Sequence, residues 1–483
     1  MAGIFGVTSK TNCIDDLFYG TDYHSHLGTS FGGLVVLNGT EINPFIRDIR
    51  NNPFRSRFMD FVEHVGCDSG LGVISDYEPQ PLLFDSRFGA YALVHVGKIN
   101  NLEGLAKKQN SEGKKLVRIK DKIIGKDKIS PIGVIANLIE SGNNIVEGIE
   151  IAQNTIEGSA TIALLKREGI YVARDKFGRT PLVLGKKEGA MAVASETCAF
   201  PTRGFEVEKF LGPGEIGLLT ERGYEMLKKP NPDMQICSFL WVYYGNPASS
   251  YERINVEVVR NNCGKALAKR DKERGLKIDL VAGIPDSGTP HSVGYANEMR
   301  VAYGRPFIKY TETWQRSFMP QEQEKRQLVA DMKLIPVKEI IRDKSIVICD
   351  DSLVRGTQMR GRILQLFRCG AKEVHVRLAC PPLIYRCEYL NFSQPSKYFD
   401  LAARRAILKL EGISGKAQDI TPAQIEKYRE NKELYDVMIE EIRKETGATS
   451  IQYQKLEDLV SAIGMPKENL CTYCWDGCKG CKK

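Results

Sequence analysis

The chain has 483 residues, 42% of them hydrophobic, with 68 Lys and Arg against 60 Asp and Glu for a formal charge of +8. That length accommodates two domains or more with ordinary buried cores, and so mild a charge, neither patterned nor interleaved with aromatics, excludes a nucleic-acid-binding reading. No apolar run approaches the ~18 residues of a membrane span, the opening Met1-Ala2-Gly3-Ile4-Phe5-Gly6 lacks the regions of a signal peptide, and the 13 cysteines therefore read as cytoplasmic thiols and metal ligands rather than a disulfide framework.

The first half is rich in short strands with Gly punctuation. Strands are predicted over Gly33–Leu37, Tyr91–Val96 and Ala160–Leu165, with a helix over Ile132–Glu140. The Lys-rich stretch from Lys107 to Lys128 reads as a solvated loop or hairpin face. This pattern predicts an antiparallel α+β layer structure. A break follows at Lys228-Lys229-Pro230-Asn231-Pro232, and we set the domain boundary at residues 1–235 and 236–483.

The second half alternates helix and strand: a helix over Asn255–Lys272, a strand over Ile278–Ile284, and a helix over Pro290–Met299. Gly304–Asp331 is polar and irregular, and reads as a lid. A further strand and helix flank the loop described below, the strand Glu373–Leu378 follows, and residues 401–462 read as mostly helical. Such alternation is the signature of a doubly wound parallel sheet.

The most informative segment is Ser345-Ile346-Val347-Ile348-Cys349-Asp350-Asp351-Ser352-Leu353-Val354-Arg355-Gly356-Thr357. An apolar strand ends in two carboxylates, and a short loop leads into a helical pattern at Met359, Ile363, Leu364 and Phe367. Loop N–H groups and the helix dipole favour an anion there. Adjacent carboxylates suit the hydroxyls of a sugar or a metal. The segment resembles the phosphoribosyl diphosphate (PRPP) loop of type I phosphoribosyltransferases. The blander reading is a capped strand-to-helix turn. Asp286-Ser287-Gly288 ends a second strand, and in a parallel sheet both ends share one edge. One loop would hold the 5′-phosphoribose and the other the diphosphate with Mg²⁺, which keeps few protein ligands and several waters.

The tail carries Cys471, Cys474, Cys478 and Cys481. Their spacing leaves two readings open: a local zinc site of these four, or an iron–sulfur cluster with some ligands elsewhere.

Nearly the whole chain resembles the glutamine PRPP amidotransferases, or amidophosphoribosyltransferases, of the iron–sulfur type. The resemblance rests on Arg174-Asp175-Lys176-Phe177-Gly178-Arg179-Thr180-Pro181-Leu182, on Ala194–Ala199, on Gly212-Pro213-Gly214-Glu215, on Cys237–Ser250, on Pro381–Cys387 and on Cys471–Gly477. It implies an N-terminal-nucleophile (Ntn) hydrolase-like α+β sandwich followed by an α/β type I phosphoribosyltransferase domain. It also implies synthesis of 5-phosphoribosylamine for purines, PRPP as substrate, nucleotide effectors, and a homo-oligomer, dimer or tetramer. By the same resemblance Asp350, Asp351, Ser352, Val354, Arg355, Gly356, Thr357, Asp286, Ser287 and Gly288 bind PRPP. Ser287, Asp350 and Asp351 would hold Mg²⁺, and Cys237, Cys387, Cys471 and Cys474 a 4Fe-4S cluster. Cys478 and Cys481 have no counterpart and keep the zinc alternative open.

The glutaminase half departs from the family. Ala2 stands where the family exposes a nucleophilic Cys. The Arg-Tyr-x-Thr segment falls at Ile74-Ser75-Asp76-Tyr77, His-Asn-Gly at His95-Val96-Gly97, Ser-Asp-x-Glu at Ser130-Pro131-Ile132-Gly133, and His-Arg-Gly at His26-Leu27-Gly28. The nucleophile, the carboxylate-binding Arg, the oxyanion-hole amide and the amine-binding carboxylate are all lost. Cys13 is internal and reads as a small buried residue rather than a substitute nucleophile. The expected function is phosphoribosyl transfer to free or partner-supplied ammonia by a chain with a degenerate glutaminase. The alternative is a non-catalytic PRPP- or nucleotide-binding regulatory or structural paralogue.

Overall fold

The computed structural model describes residues 2–120, 127–310, 334–390, 400–415 and 420–478. Alternating apolar residues in the first half build two antiparallel sheets. The seven-stranded sheet runs, edge to edge, Glu206–Phe210, Val183–Lys187, Ala190–Ala194, Ala2–Ser9, Ser69–Ser75, Phe31–Asn38 and Glu41–Asp48. The six-stranded sheet runs Gly223–Lys228, Ile216–Thr220, Gly169–Ala173, Gly158–Lys166, Tyr91–Ile99 and Leu82–Phe84. Their facing sides share one core, in which Ile4, Val35 and Val73 of one sheet meet Val94, Ala163 and Val172 of the other. The outer faces are covered by helices: Ile14–Asp22 and Phe54–Val62 over the first sheet, Pro131–Ile139 and Ile145–Thr155 over the second. The period-2 alternation of each strand dictates this layering, because each strand has one set of residues for the shared core and another for a helix. Of the Lys-rich stretch, Lys107 and Lys108 lie on the helix Leu102–Ser111 rather than in a loop, and Arg118–Lys120 pairs antiparallel with Asp127–Ile129.

In the second half four parallel strands lie in the order Leu280–Gly283, Ser345–Asp350, Glu373–Leu378 and Ser450–Tyr453. Helices Val256–Glu273 and Thr289–Met299 cover the face that buries Val281, Val347 and Cys349. Helices Thr357–Arg368, Ala402–Leu410 and Lys432–Thr446 cover the face that buries Ile346, Ile348, Val374 and Val376. The architecture is an Ntn-type sandwich followed by an α/β phosphoribosyltransferase-type domain.

Residues 401–462 are mostly helical, as expected, but the strand Ser450–Tyr453 within them completes the parallel sheet. Four residues between strong helical patterns give too short an alternation to read. The segment after Gly304 is not irregular from its start, since Phe307–Lys309 pairs with Leu334–Pro336. The remainder of the expected lid lies outside the described residues.

Candidate functional site

The strands Leu280–Gly283 and Ser345–Asp350 run in parallel and in register, so their C-terminal ends open side by side. Ser287 Oγ donates to Asp350 Oδ1 at 2.9 Å, joining the two loops directly. Asp351 N also donates to Asp350 Oδ1 at 2.9 Å, and Ser352 Oγ donates to Asp351. Gly288 lies where a Cβ would stand 2.1 Å from Cys349 O, so only Gly lets this loop close onto the neighbouring strand. Gly356, at φ +79°, turns the chain into the helix Thr357–Arg368.

Burial, and then the charge of Asp351, pushes the Asp350 carboxyl well above the usual carboxylate range. Burial also raises Asp351, against hydrogen bonds from Ser352 and Ser287 and the charge of Arg260. Two buried neighbouring carboxyls that resist ionisation fit a divalent cation or sugar hydroxyls, which would favour their charged or accepting forms. Oxygen donors in this number suit Mg²⁺, which binds through one or two carboxylates and retains water. Lys309, which lies in the segment read as a lid, donates its Nζ to Asp286. One participant escaped the sequence reading: Arg260, buried in the helix Val256–Glu273, is held by the carbonyls of Trp241, Tyr243 and Gly245. It carries no motif.

In the sandwich, the positions singled out as departures also lie together. Ala2 opens its strand opposite Ser75. Its methyl belongs to the same buried apolar core as Val96. Thr29 N donates to Asp76 Oδ1 at 2.6 Å, and Lys128 Nζ donates to Tyr77 O at 3.2 Å. Leu27 is buried with Leu240 and Trp241 at the junction with the second half. His26 Nε2 lies 3.1 Å from Glu196 Oε2. Against the effect of burial, His26 and Tyr251 hold Glu196 down at about 2. Burial drives His95 to about 4, so its ring is neutral.

The N-terminus of the helix Pro131–Ile139 is occupied by a carboxylate that the sequence reading missed. Glu78 accepts from Ser130 Oγ at 2.6 Å and from Ile132 N at 3.0 Å. Burial pushes it up to about 7, against these hydrogen bonds and the charge of Lys128. Cys13 is buried with its sulfur 3.8 Å from that of Cys67. The hydrogen bond with Cys67, then burial, raises its thiol far above the ordinary range, which is the environment of an inert cysteine.

The cysteines come together from three distant segments. Ile236–Cys237 pairs in parallel with Leu470–Cys471, setting Cys237 opposite Cys471. Cys474 O accepts from the amides of Ile384 and Tyr385 at 3.1 and 3.0 Å. Cys387 Sγ accepts from Leu390 N at 3.3 Å. After burial, the neighbouring Cys387, Cys237 and Cys471 raise the Cys474 thiol further. Burial pushes Cys237 and Cys474 well above the thiol range, raises Cys387, and takes Cys471 to about 11. Backbone N–H groups oppose that rise: Phe239 and Leu240 at Cys237, Tyr389 and Leu390 at Cys387, Tyr473 at Cys471.

Buried sulfurs met by N–H donors, with Arg179 and Lys98 nearby, fit a group that binds thiolates and carries negative charge. Among the described residues no three His, Cys, Asp or Glu side chains converge on a single ion. Thiolates on one zinc would approach to roughly 4 Å of each other. A cluster, which sits between its ligands, allows wider spacing. Cys478 is disulfide-bonded in this structure, and Cys481 lies outside the described residues.

A layered sandwich of the glutamine amidotransferase type, joined to a parallel sheet with two anion-suited loops, defines a two-part transferase class. The glutamine amidotransferase domain family matches residues 71–202. An amidophosphoribosyltransferase of Methanothermobacter thermautotrophicus is 29% identical over 99% of this chain and 93% of its own. One of Archaeoglobus fulgidus is 30% identical over 70% of this chain and 71% of its own. The structure of glutamine PRPP amidotransferase from B. subtilis, complexed with ADP and GMP, superposes with a TM-score of 0.80 at 26% identity, covering 99% of this chain and 96% of that one. The chain belongs to the amidophosphoribosyltransferase family of purine biosynthesis.

Proposed function

We propose that this chain binds PRPP with Mg²⁺ and forms 5-phosphoribosylamine from ammonia that its own first half does not release from glutamine. The observation that carries the reading is the Ser287–Asp350 hydrogen bond, which joins the two loops at one sheet edge. The loop of Ser352–Gly356 and the first amides of the following helix take the 5′-phosphate. Asp350 and Asp351 accept the ribose hydroxyls and hold the metal, and Asp286, Ser287 and Gly288 face the diphosphate. Mg²⁺, when bound, would neutralise the departing diphosphate. The ammonia nitrogen bonds to C1 as the bond from C1 to the diphosphate oxygen breaks, and the new amine gives its extra proton to water. The protein's part is positioning and charge compensation.

The glutaminase half is read as inactive because Ala2 and Val96 share one apolar core and Leu27 is buried at the junction. We divide the functional units at residues 235 and 236. We assign Cys237, Cys387, Cys471 and Cys474 to a 4Fe-4S cluster with a structural role, because phosphoribosyl transfer moves no electrons. The test measures phosphoribosylamine from PRPP with ammonia and then with glutamine. Product is expected with ammonia alone. Glutamine-dependent turnover at ordinary enzymatic rates would overturn the inactive-glutaminase reading. PRPP binding without amine formation from ammonia would assign the chain a regulatory role.

A further inference from the structure

Two successive carbonyls of the Ser352–Gly356 loop are held from outside by a helix distant in sequence. Ala402 N donates to Val354 O at 2.8 Å. The Arg405 guanidinium donates to Arg355 O. Arg405 is itself fixed by Glu445 Oε1 at 2.6 Å, by Asp400 O at 3.0 Å and by the Asp400 carboxylate, while Arg355 Nε lies 3.5 Å from Asp400. Their helix is rooted in the domain core, where Ala402, Ala406 and Ile407 are buried with Leu353 and Met359. The brace is therefore attached to something rigid.

Peptide geometry gives these contacts a directional consequence. In a trans peptide the C=O and the following N–H point in opposite directions, and both peptides here are trans. Holding the carbonyls of Val354 and Arg355 toward the Ala402–Leu410 helix turns the amides of Arg355 and Gly356 the other way. These two amides directly precede the helix Thr357–Arg368. Successive inward amides at a helix start are the elements of an anion cradle.

We propose that Arg405, together with the Ala402 amide, is a positioning residue that presets the Arg355 and Gly356 amides for the 5′-phosphate. Asp400 and Glu445 fix the guanidinium for that task. The inference rests on the reading of this loop as the phosphate site. A preset loop binds its anion without ordering itself at that moment, so loss of the brace appears as loss of affinity for the phosphate end of the ligand alone.

The full chain is titrated calorimetrically with ribose 5-phosphate, and separately with pyrophosphate and Mg²⁺. Arg405→Ala is expected to weaken ribose 5-phosphate roughly five- to tenfold, the effect of about one hydrogen bond, and to leave pyrophosphate unchanged. Lys409→Ala, on the same helix as Arg405, breaks the ion pair of Lys409 with Glu441 of the helix Lys432–Thr446 and is expected to change neither. Arg405→Lys keeps a charge but lacks the fork to reach Arg355 O, Asp400 and Glu445 together. It is expected to lose about half as much on a logarithmic scale, and it decides the matter if Arg405→Ala does not fold. Unchanged ribose 5-phosphate affinity in the Arg405 variants, or equal weakening of both ligands, overturns the inference. Wild-type protein that binds pyrophosphate but no ribose 5-phosphate at millimolar concentration overturns the phosphate reading and the inference with it.

Discussion

Glu78 sits under a helix start with both oxygens accepting hydrogen bonds, yet burial holds it at about 7. An unfolded Glu titrates near about 4.3. The folded state therefore binds this proton more tightly, and the group's contribution to stability falls as pH rises from about 4.3 to 7, then levels off. Glu78→Gln removes the titration. Urea denaturation across this range is expected to show wild type's advantage over the variant shrinking with rising pH and constant above about pH 8. At Ala2 the expectation concerns activity. Loss of a nucleophile costs on the order of 10⁶ in rate, but Ala2→Cys alone is expected to leave glutamate release at background, since Val96, Leu27 and the Ser130–Gly133 segment remain. Cys13 is expected to resist a glutamine-analogue electrophile until the protein is unfolded. The departures at Ala2, Val96 and Leu27 were legible in the sequence because each sets an apolar side chain where the resembled motif has a thiol, an amide or a guanidinium. Glu78 was not, because a Glu in Asp76-Tyr77-Glu78-Pro79 looks like an ordinary solvated turn. Its burial depends on a helix more than fifty residues further on.

Among elements, the two strand-end loops carry the sharpest expectations. Asp351→Asn keeps the shape of a buried side chain that accepts from Ser352 but removes its charge. It is expected to weaken PRPP binding by roughly 1–3 kcal/mol, measured by calorimetry, with the melting temperature without ligand unchanged or raised. Because burial raises both Asp350 and Asp351, a metal that needs carboxylates must displace protons. The stabilisation by Mg²⁺ is accordingly expected to grow with pH, and thermal melts with and without Mg²⁺ across a pH series check the sign. Both loops could be read from sequence because each follows an apolar strand and ends in small or acidic residues. The strand Ser450–Tyr453 and the ribbon of Phe307–Lys309 with Leu334–Pro336 could not, since each is too short for its period to declare itself. The Arg405 brace was hidden for another reason: it joins positions 50 residues apart through a backbone carbonyl, which leaves no mark on residue type.

At the scale of the whole molecule, the cysteine site fastens the tail to the junction of the two halves. Lys98 Nζ donates to Cys387 O at 3.3 Å and Asn100 Nδ2 to Glu388 O at 2.7 Å, reaching across from the sandwich. Trp475 packs with Phe239, ring centroids 5.9 Å apart. Anaerobically purified protein is expected to be brown with about four iron per chain, and chelation or oxygen exposure to lower its melting temperature in step with iron loss. One tightly held zinc, with Cys237 and Cys387 alkylated on unfolding, would overturn the cluster assignment.

The parallel sheet receives its outer strand late. Ser450–Tyr453 pairs with Glu373–Leu378, but among the described residues it leaves the ribosome after the helices Ala402–Leu410, Pro422–Glu430 and Lys432–Thr446. Through that interval the backbone groups of Glu373–Leu378 have no partner on one side, and an open parallel edge with apolar neighbours is a template for wrong pairing between nascent chains. Expression of this protein should therefore depend on how quickly the last segment is translated, with synonymous slow codons between residues 379 and 449 lowering soluble yield and the same codons placed after residue 476 having no effect.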